Sequence, residues 1–372
     1  MEKIGIIAEY NPFHNGHLYH LNKAKELFPN GTFILVLVGN FTQRGDVSII
    51  NKWDKAKLAL NNGFDLVVEL PYIFATSSAD VYATGAIETL NNLKCNYLIF
   101  GSETNDINLF EFLAKESVNN TEYDLLLKSS LAKGLNFPSA CSSALKSVTN
   151  TEINKPNDIL ALEYVKAIKK TNSNIKPVSI KRINDYHSKK ISNNITSATS
   201  IRNNINNINL IKNALPNDSL DLIQRISLDD YFKYLKYQIL TNDNLKDILG
   251  VDEGLENKLK KEINNVYSLD GLILKLKSKR YSYNRLKRMM LHIICNVNKS
   301  DNDLKIKYVR VLAFNKLGQK VLNEVKKETN VPIITKFKKE YNDLLKLDIK
   351  ATNVYSLIGK TENDFISSKK SN

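Results

Sequence analysis

Short apolar runs recur along the first half of the chain, separated by stretches with apolar residues at three- and four-residue spacing. Runs that are apolar on both faces and rich in Val, Ile, Leu and Phe are typical of buried parallel strands, and the spaced stretches are typical of crossover helices. The predicted strands are residues 3–10, 32–40, 64–71, 97–103 and 176–183. The predicted helices include residues 17–27, 51–61, 79–93 and 157–170. This alternation predicts an α/β fold with a Rossmann-like, doubly wound parallel sheet.

Beyond about residue 200 the pattern changes to helical periodicity. Amphipathic spacing is found at residues 220–226, 231–240, 255–263, 271–281, 284–297 and 318–328. The Asn-rich segment 192–209 is typical of a connection. Because 372 residues exceed the usual size of one core, we predict a Rossmann-like domain at residues 1–208 and a mostly α-helical domain at residues 209–372.

Charge divides the chain in the same way. The sequence has 53 Lys+Arg and 39 Asp+Glu, a formal net charge of +14. Residues 1–190 hold 21 basic and 19 acidic side chains, net +2, whereas residues 191–372 hold 32 and 20, net +12. A surplus of this size favours a polyanionic partner for the second half.

Composition excludes several classes of protein. A hydrophobic content of 42% with 25% charged residues excludes collagen-like and wholly disordered chains. No window is long and apolar enough to span a bilayer, and the N-terminus lacks a secretory signal, so we expect a cytoplasmic protein without membrane association. Cys95, Cys141 and Cys295 are widely separated, so we expect neither a disulfide framework nor a cysteine zinc site.

The sharpest motif follows the first predicted strand, where His14-Asn-Gly-His17 opens a helix. Ligands of open α/β sheets bind at such strand ends, and backbone N–H groups at a helix start favour phosphate. Two histidines three residues apart can face the same phosphate, as hydrogen-bond donors or as cations. A zinc site made of His14, His17 and His20 is the alternative, but no carboxylate accompanies it. We expect His20 to have a packing or supporting role.

A second phosphate-binding pattern, TSATSIR, spans residues 196–202 and offers Ser197, Thr199 and Arg202 at a helix start. Arginine suits bidentate contact with phosphate, although an N-cap serine with a solvated arginine explains the same residues. The two patterns in this order resemble the HIGH-motif nucleotidyltransferases, which hold ATP for attack on its α-phosphate. That resemblance implies catalytic roles for His14, His17 and Arg202.

A narrower resemblance covers nearly the whole chain. The sequence is similar to the bacterial tRNA(Met) cytidine acetate ligase family in these segments: EYNPFHNGHLYHL (9–21), VGNFTQRGD (38–46), KWDKAKLAL (52–60), FDLVVELPYIFATSSADVYATGAIETL (64–90), FGSE (100–103), KPNDILALEY (155–164), IKRINDYH (180–187), KRYSYNRLKRMMLHII (279–294) and YVRVLAFNKLGQKVL (308–322). The resemblance implies that the protein adenylates acetate with ATP and transfers the acetyl group to the wobble cytidine of elongator tRNA(Met), at the anticodon. It implies that residues 1–208 bind ATP and residues 209–372 bind tRNA.

The resemblance also implies a set of ATP-binding residues, which for Ser197 and Thr199 coincides with the phosphate pattern above. They are Ile7, Ala8, Glu9, Tyr10, Asn11, Pro12, Phe13, His14, Asn15, Gly16, His17, Leu18, Tyr19, His20, Gly101, Asn157, Arg182, Ile183, Ser197 and Thr199. Two of them have competing interpretations: Asn157 contacts ribose or base, or is an N-cap, and Arg182 borders the crevice or forms a surface ion pair. We expect no protein metal site, with Mg²⁺ held chiefly by the ATP phosphates.

Three other features keep two interpretations each. Arg44 and Asp46 follow the second strand and either border the crevice or are structural. Cys141 is conceivable as an acyl carrier, although a structural cysteine is favoured. A basic run interleaved with Tyr281 and Tyr283 predicts an RNA surface rather than an ordinary solvated helix face; its cations are Lys275, Lys277, Lys279, Arg280, Arg285, Lys287 and Arg288.

The leading hypothesis is therefore an RNA-modifying ligase with ATP, acetate and tRNA as substrates and no stable protein partner. One alternative is a small-molecule adenylyltransferase, which would not need the basic half. The other is an RNA-binding protein with a vestigial nucleotide site, against which the intact HNGH and SATSIR motifs argue.

Overall fold

The computed structural model describes residues 1–182 and 196–370. Within that part of the chain eight strands form one sheet in the order β5-β4-β1-β2-β3-β6-β7, with β8 beside β6. The strands are β1 (Lys3–Ala8), β2 (Thr32–Val38), β3 (Leu66–Leu70), β4 (Tyr97–Ser102), β5 (Lys176–Lys181), β6 (Val309–Phe314), β7 (Ile333–Ile334) and β8 (Lys369–Lys370). The helices are α1 (Asn15–Leu27), α2 (Lys52–Asn61), α3 (Tyr72–Ala75), α4 (Ala79–Asn92), α5 (Ile107–Ser117), α6 (Thr121–Ala132), α7 (Phe137–Thr149), α8 (Pro156–Lys170), α9 (Ala198–Asn203), α10 (Ile208–Ile211), α11 (Phe232–Thr241), α12 (Leu255–Glu262), α13 (Leu269–Leu276), α14 (Tyr283–Ile294), α15 (Lys316–Val325) and α16 (Lys346–Tyr355).

Strands β1 to β5 are parallel to one another, as predicted. All seven residues of β2 and all five of β3 are buried, because helices cover both faces of the sheet. The four helices predicted in the first half are α1, α2, α4 and α8, each within two residues of the predicted bounds. The doubly wound α/β prediction is confirmed.

The second half is mostly helical but also extends the sheet. Strand β6 pairs antiparallel with β3, with Leu66 opposite Phe314, and β7 and β8 pair with β6. Periodicity missed β6, because a six-residue buried run between helical segments gives a weak signal. The sheet therefore continues across the predicted division at residue 208, and the position of a domain boundary stays a prediction.

Two predicted helices are shorter than expected. Residues 220–226 contain only a 3₁₀ turn at Leu220–Leu222, and the helix predicted to reach residue 281 ends at Leu276. Ser282 then begins α14 as its N-cap by accepting the backbone N–H of Arg285 at 3.4 Å. The basic residues between 277 and 282 consequently lie on a loop.

A buried ionic cluster holds the C-terminal segment against the sheet. Lys52 of α2 lies 3.0 Å from Glu69 and 2.6 Å from Asp364, and Arg310 of β6 donates to the backbone carbonyl of Asp364 at 2.9 Å. Buried charges are tolerated when they are paired in this way. Among the described residues, none of the helices combines the length and apolar character needed to cross a membrane.

Candidate active site

The predicted crevice lies where the order of strands reverses. Strand β1 is flanked by β2 and β4; the chain proceeds to β2 and β3 on one side, and β4 and β5 lie on the other. In open α/β sheets, ligands bind outside the carboxyl ends of the strands at this position. The β1–α1 turn with His14 and His17, and Gly101 near the end of β4, both lie there.

The two histidines of the HNGH motif cap α1. Nδ1 of His14 accepts the backbone N–H of Gly16 at 3.1 Å, and Nδ1 of His17 accepts the backbone N–H of His14 at 3.3 Å. Since both Nδ1 atoms are acceptors, each neutral ring carries its proton on Nε2. The motif therefore fixes one tautomer for both rings, with Nε2–H as the available donor.

The histidine rings are stacked, with centroids 3.7 Å apart. Burial, aided by the positive charges of Arg182 and Arg202, lowers the pKa of His14 to about 3. Burial and the neighbouring His14 lower the pKa of His17 well below its ordinary value. Both rings are thus neutral at pH 7 before a nucleotide binds, and in that state each offers a hydrogen-bond donor and carries no positive charge.

Several of the residues predicted to contact ATP pack against the β1–α1 turn and hold it in place. Tyr10 and Phe13 are buried, with ring centroids 4.7 Å apart, and Tyr10 packs 4.6 Å from the ring of His17. The amide of Asn11 donates to Val47 O at 3.1 Å and accepts from the backbone of Ile49 at 2.9 Å. These side chains hold the histidines in place, and direct contact of Tyr10, Phe13 or Asn11 with ATP stays a prediction.

The second phosphate pattern meets the first. Ser197 is the N-cap of α9 and accepts the backbone N–H of Ser200 at 3.1 Å. Arg202 is not solvated as the alternative supposed: its guanidinium donates to Asn11 O at 2.7 Å and to the Thr199 hydroxyl at 3.3 Å. The structure thus places Arg202 against the turn that precedes His14.

On the other side of the crevice, Arg182 covers Gly101. A Cβ at Gly101 would lie 3.2 Å from Cγ of Arg182, so the absence of a side chain lets the arginine lie along β4. Arg182 is close enough to His14, His17 and His20 to lower the pKa of each. Ile183, also predicted to bind ATP, lies outside the described residues.

Asn157 lies beside the end of β4, but it is not the N-cap of α8, because that helix begins at Pro156 after Lys155. Its amide donates to the Glu103 carboxylate at 2.6 Å. Asp158 accepts from the Ser102 hydroxyl at 2.7 Å, from the Glu103 and Thr104 backbone at 2.8 and 3.1 Å, and from the Thr104 hydroxyl at 2.5 Å. Burial raises the pKa of Asp158, but these hydrogen bonds outweigh it and lower the pKa overall.

Sequence reasoning missed Asp158 and Glu103, and it also missed Lys55. Lys55 is fully buried, and its ammonium donates to the backbone carbonyls of Glu9, Val38 and Gly39 at 2.9, 2.8 and 2.7 Å. It ties the carboxyl ends of β1 and β2 together. The KWDKAKLAL segment gave no signal for this role, whereas the position of Asp158 beside Asn157 was an available one.

The RGD segment docks onto the helical half. Asp46 forms an ion pair with Lys287, and Arg288 donates to Gln43 O at 3.1 Å. Gly45 has φ +80°, and a Cβ there would lie 2.7 Å from Lys287, so only glycine fits this approach. The Gln43 backbone N–H in turn donates to the Glu9 carboxylate at 2.9 Å. The segment therefore joins the β1 turn to α14, which favours the structural interpretation for Asp46.

The basic run predicted to bind RNA is partly neutralised. Arg280 lies 2.5 Å from Glu253, and Arg285 lies 3.5 Å from Asp252. Tyr281 is buried beneath the guanidinium of Arg285, 4.5 Å from the ring centroid, and donates its hydroxyl to Glu253. Lys275, Lys277 and Lys279 are exposed. Tyr281 is thus poorly placed to stack on a base.

The other predicted nucleotide-binding residues surround the turn. Ile7 and Ala8 end β1, the amide of Asn15 donates to Asn213 O at 2.9 Å, and Gly16, Leu18 and Tyr19 are half-buried on α1. Burial lowers the pKa of His20 to about 4. The sequence left a zinc site at the three histidines as an alternative; no group of three or more His, Cys, Asp or Glu side chains in residues 1–182 and 196–370 is placed to hold a metal.

Cys141 was the conceivable acyl carrier. Burial raises the pKa of its thiol, so the nucleophilic thiolate is disfavoured at neutral pH. The structural interpretation is therefore the better one.

Comparison with known proteins agrees with this geometry. A family model described as HIGH Nucleotidyl Transferase matches residues 1–370. The tRNA(Met) cytidine acetate ligase of Caldicellulosiruptor saccharolyticus is 42% identical over 380 residues, which cover 96% of this chain and 94% of that protein. The ligase of the same name from Clostridium perfringens strain SM101 is 43% identical over 395 residues, covering 98% of each chain.

Solved structures give the same result. The apo form of Thermotoga maritima TmcAL superposes with a TM-score of 0.91 at 31% identity, and the form bound with alpha-thio ATP with a TM-score of 0.88 at 31% identity; both cover 100% of each chain. Sequence, site geometry and fold agree over the full length. The chain belongs to the HIGH nucleotidyl transferase family and, within it, to the tRNA(Met) cytidine acetate ligases.

Proposed function

We propose that this protein is an ATP-dependent ligase that forms acetyl-AMP from acetate and ATP and transfers the acetyl group to the wobble cytidine of elongator tRNA(Met). The observation that carries this proposal is the pair of neutral, stacked histidines with fixed tautomers beside Arg202, at the switch point of the sheet. The relatives' names and the alpha-thio ATP bound by the Thermotoga protein support it.

The chemistry requires activation of acetate. The exocyclic amine of cytosine is a poor nucleophile because its lone pair is delocalised into the ring, and a carboxylate does not acylate amines. In the first step a carboxylate oxygen of acetate attacks the α-phosphorus of ATP, the bond to the β-phosphate oxygen breaks, and pyrophosphate leaves. In the second step N4 of cytidine attacks the acetyl carbonyl, AMP leaves and the nitrogen loses a proton.

The first step needs positioning and stabilisation of phosphate charge. Donors that are already oriented cost no reorganisation as charge develops. We assign the Nε2–H groups of His14 and His17 as such donors for the α- and β-phosphates, and Arg202 as the cation for the departing pyrophosphate. Ser197 and Thr199 extend this phosphate site.

The nucleoside end lies on the other side of the switch point. Arg182 covers Gly101, so we assign contact with adenine or ribose there to the arginine side chain and not to the bare glycine backbone. Asn157, held by Glu103, offers its amide carbonyl as an acceptor. Arg182 completes the pocket above the histidines. A Mg²⁺ ion would be held by the ATP phosphates and would neutralise part of their charge.

The second half supplies the surface for tRNA. Residues 191–372 carry net +12 and residues 1–190 only +2, so we assign ATP chemistry to residues 1–208 and tRNA capture to residues 209–372, with the anticodon loop directed to the crevice. Unstacking a base costs less in such a loop than in a duplex. ATP and tRNA meet in the cytoplasm, where we place the reaction.

The test is incubation with labelled acetate, ATP and unmodified elongator tRNA(Met), followed by nucleoside analysis. The expected product is N4-acetylcytidine at the wobble position, with release of AMP and pyrophosphate. Acetate-dependent exchange of pyrophosphate into ATP tests the first step without tRNA. A protein that exchanges pyrophosphate only with another acid, or that leaves the tRNA unlabelled, contradicts the proposal.

A further inference from the structure

The outward face of α11 carries aromatic side chains where a surface helix normally carries polar ones. Its inward side is formed by Leu235 and Ile239, both fully buried. On the outward side Tyr234 is 38% exposed and Tyr237 is 64% exposed, and Lys233 is exposed one turn before Tyr237. Residues three and four apart are neighbours on a helix surface, so Lys233, Tyr234 and Tyr237 form one contiguous face.

Buried aromatic contacts connect this face to the end of β2. Tyr231, just before α11, lies with its ring centroid 6.4 Å from Phe41, which follows β2, and 6.4 Å from Tyr234. Helix α11 packs on α14, which is fixed to the loop after β2 through Lys287 and Asp46. The tyrosine face is therefore held in a set position relative to the carboxyl edge of the sheet.

The cation on this face differs from three of the seven in the run at residues 275–288. There Arg280, Arg285 and Lys287 are already paired with carboxylates. By contrast, Lys233 forms no ion pair with any carboxylate of residues 1–182 and 196–370. An unpaired cation beside two exposed rings combines charge for phosphate with flat surfaces for bases, which is how single-stranded nucleic acid is bound.

We propose that Lys233, Tyr234 and Tyr237 form a binding surface for unpaired nucleotides of the tRNA substrate, with bases stacked on the two tyrosine rings and a phosphate next to Lys233. This inference rests on the proposed function, and it names a part of the RNA surface that the sequence pattern did not. The net charge of +12 in this half favours RNA over a protein partner for the same face.

The test compares two matched double variants in the full-length protein. Lys233→Ala with Tyr237→Ala alters the proposed surface. Phe112→Ala with Lys115→Ala alters an exposed aromatic and an exposed lysine on neighbouring turns of α5, three residues apart where Lys233 and Tyr237 are four apart. Lys115 lies with Lys176, at the start of β5, at the opposite edge of the sheet. Affinity for unmodified tRNA(Met) is measured at several salt concentrations, together with acetate-dependent pyrophosphate exchange.

Tyr237→Ala alone should weaken tRNA binding by about 5- to 100-fold, the loss typical of one stacked base. Tyr237→Phe should retain the affinity because the ring remains, and Lys233→Ala should lower the salt slope by about 0.7 to 1. The α11 variants should keep the rate of pyrophosphate exchange of the unaltered protein. The α5 variant should keep both that rate and the affinity for tRNA.

Three results would overturn the proposal, and they can be told apart. If the unaltered protein acetylates tRNA and the α11 variant binds it equally well, the surface is wrong and the proposed function stands. The surface is also wrong if the α11 substitutions change only the mass of the oligomer in solution. In that case the face contacts a second copy of the chain. If the unaltered protein neither binds nor acetylates tRNA, both the surface and the proposed function fail.

Discussion

Replacing His17 with asparagine should separate its role in α1 from its role in catalysis. Nδ1 of His17 accepts the backbone N–H of His14 at 3.3 Å, and Oδ1 of asparagine, bonded to the same Cγ position, can accept that bond. The variant lacks a counterpart of Nε2–H. Loss of one preorganised donor to developing phosphate charge costs about 10²- to 10³-fold in kcat, or about 2.7 to 4 kcal/mol.

The comparison with His17→Ala gives the magnitude of the structural part. Alanine removes both the donor and the acceptor, so the N–H of His14 loses its partner and the protein should lose about 1 kcal/mol of stability, as for other lost caps. The free energy of unfolding of His17→Asn should lie within about 0.5 kcal/mol of that of the unaltered protein, as is usual for a surface substitution. Urea midpoints report this difference if the slope m is unchanged.

The assay is acetate-dependent pyrophosphate exchange at saturating ATP, with tRNA binding as the control. Both variants should lose exchange to a similar extent and bind tRNA normally. If His17→Asn retains exchange within fivefold, the Nε2–H group is not a phosphate donor. If it is as unstable as His17→Ala, the capping interaction has been misassigned.

Three further predictions concern buried charges. Asp158→Ala removes an acceptor of four hydrogen bonds, so it should raise KM for ATP and lower stability by about 3 kcal/mol. Asp106→Ala removes only the N-cap of α5 and should leave KM for ATP unchanged. Equal KM values for the two variants would refute a positioning role for Asp158. Lys55→Met leaves three backbone carbonyls without a donor, so the free energy of unfolding measured in urea should fall by about 3 kcal/mol. Lys57→Met, at an exposed lysine of the same helix, should not lower it. Equal urea midpoints for the two variants would show that the three carbonyls do not need Lys55. Burial lowers the pKa of His292 to about 4, so the contribution of its neutral ring to stability is complete above the unfolded pKa of about 6.5 and falls by about 1 kcal/mol between pH 7.5 and 5.5. His292→Gln should be less stable throughout but should lack this part of the pH dependence, and equal slopes of unfolding free energy against pH for the two proteins would contradict it.

The fold was predictable where the hydrophobic pattern was long and repeated. Strands β1 to β5 and their crossover helices have the predicted type, because a parallel sheet buries both faces of every strand and leaves a continuous apolar run. Strand β6 has the same run, VRVLAF, but its partner β3 lies more than 200 residues away. No local signal records such a pairing, so the second half was predicted to be mostly helical and β6 was missed.

The site shows the same division between local and distant information. His14 and His17 were predictable because their spacing, the turn and the helix start are all contained in a few residues. Asp158 and Lys55 act through partners 54 and 46 residues away, and neither interaction changes the local pattern. Conversely, Tyr10 and Phe13 lie in the turn just before the HNGH motif but are buried in the core, because a rigid turn needs apolar packing on one side as well as polar groups on the other.

Delivery of a base to the crevice requires that the helical half keep a fixed position relative to the sheet. Three contacts provide this: pairing of β6 with β3, the ion pair of Lys287 with Asp46, and the bond from Arg288 to Gln43 O. The charge pattern alone would assign Lys287 and Arg288 to RNA, and the helical pattern would miss β6. Part of the +12 surplus therefore joins the two halves, so α11 lies at a constant distance from the histidine pair.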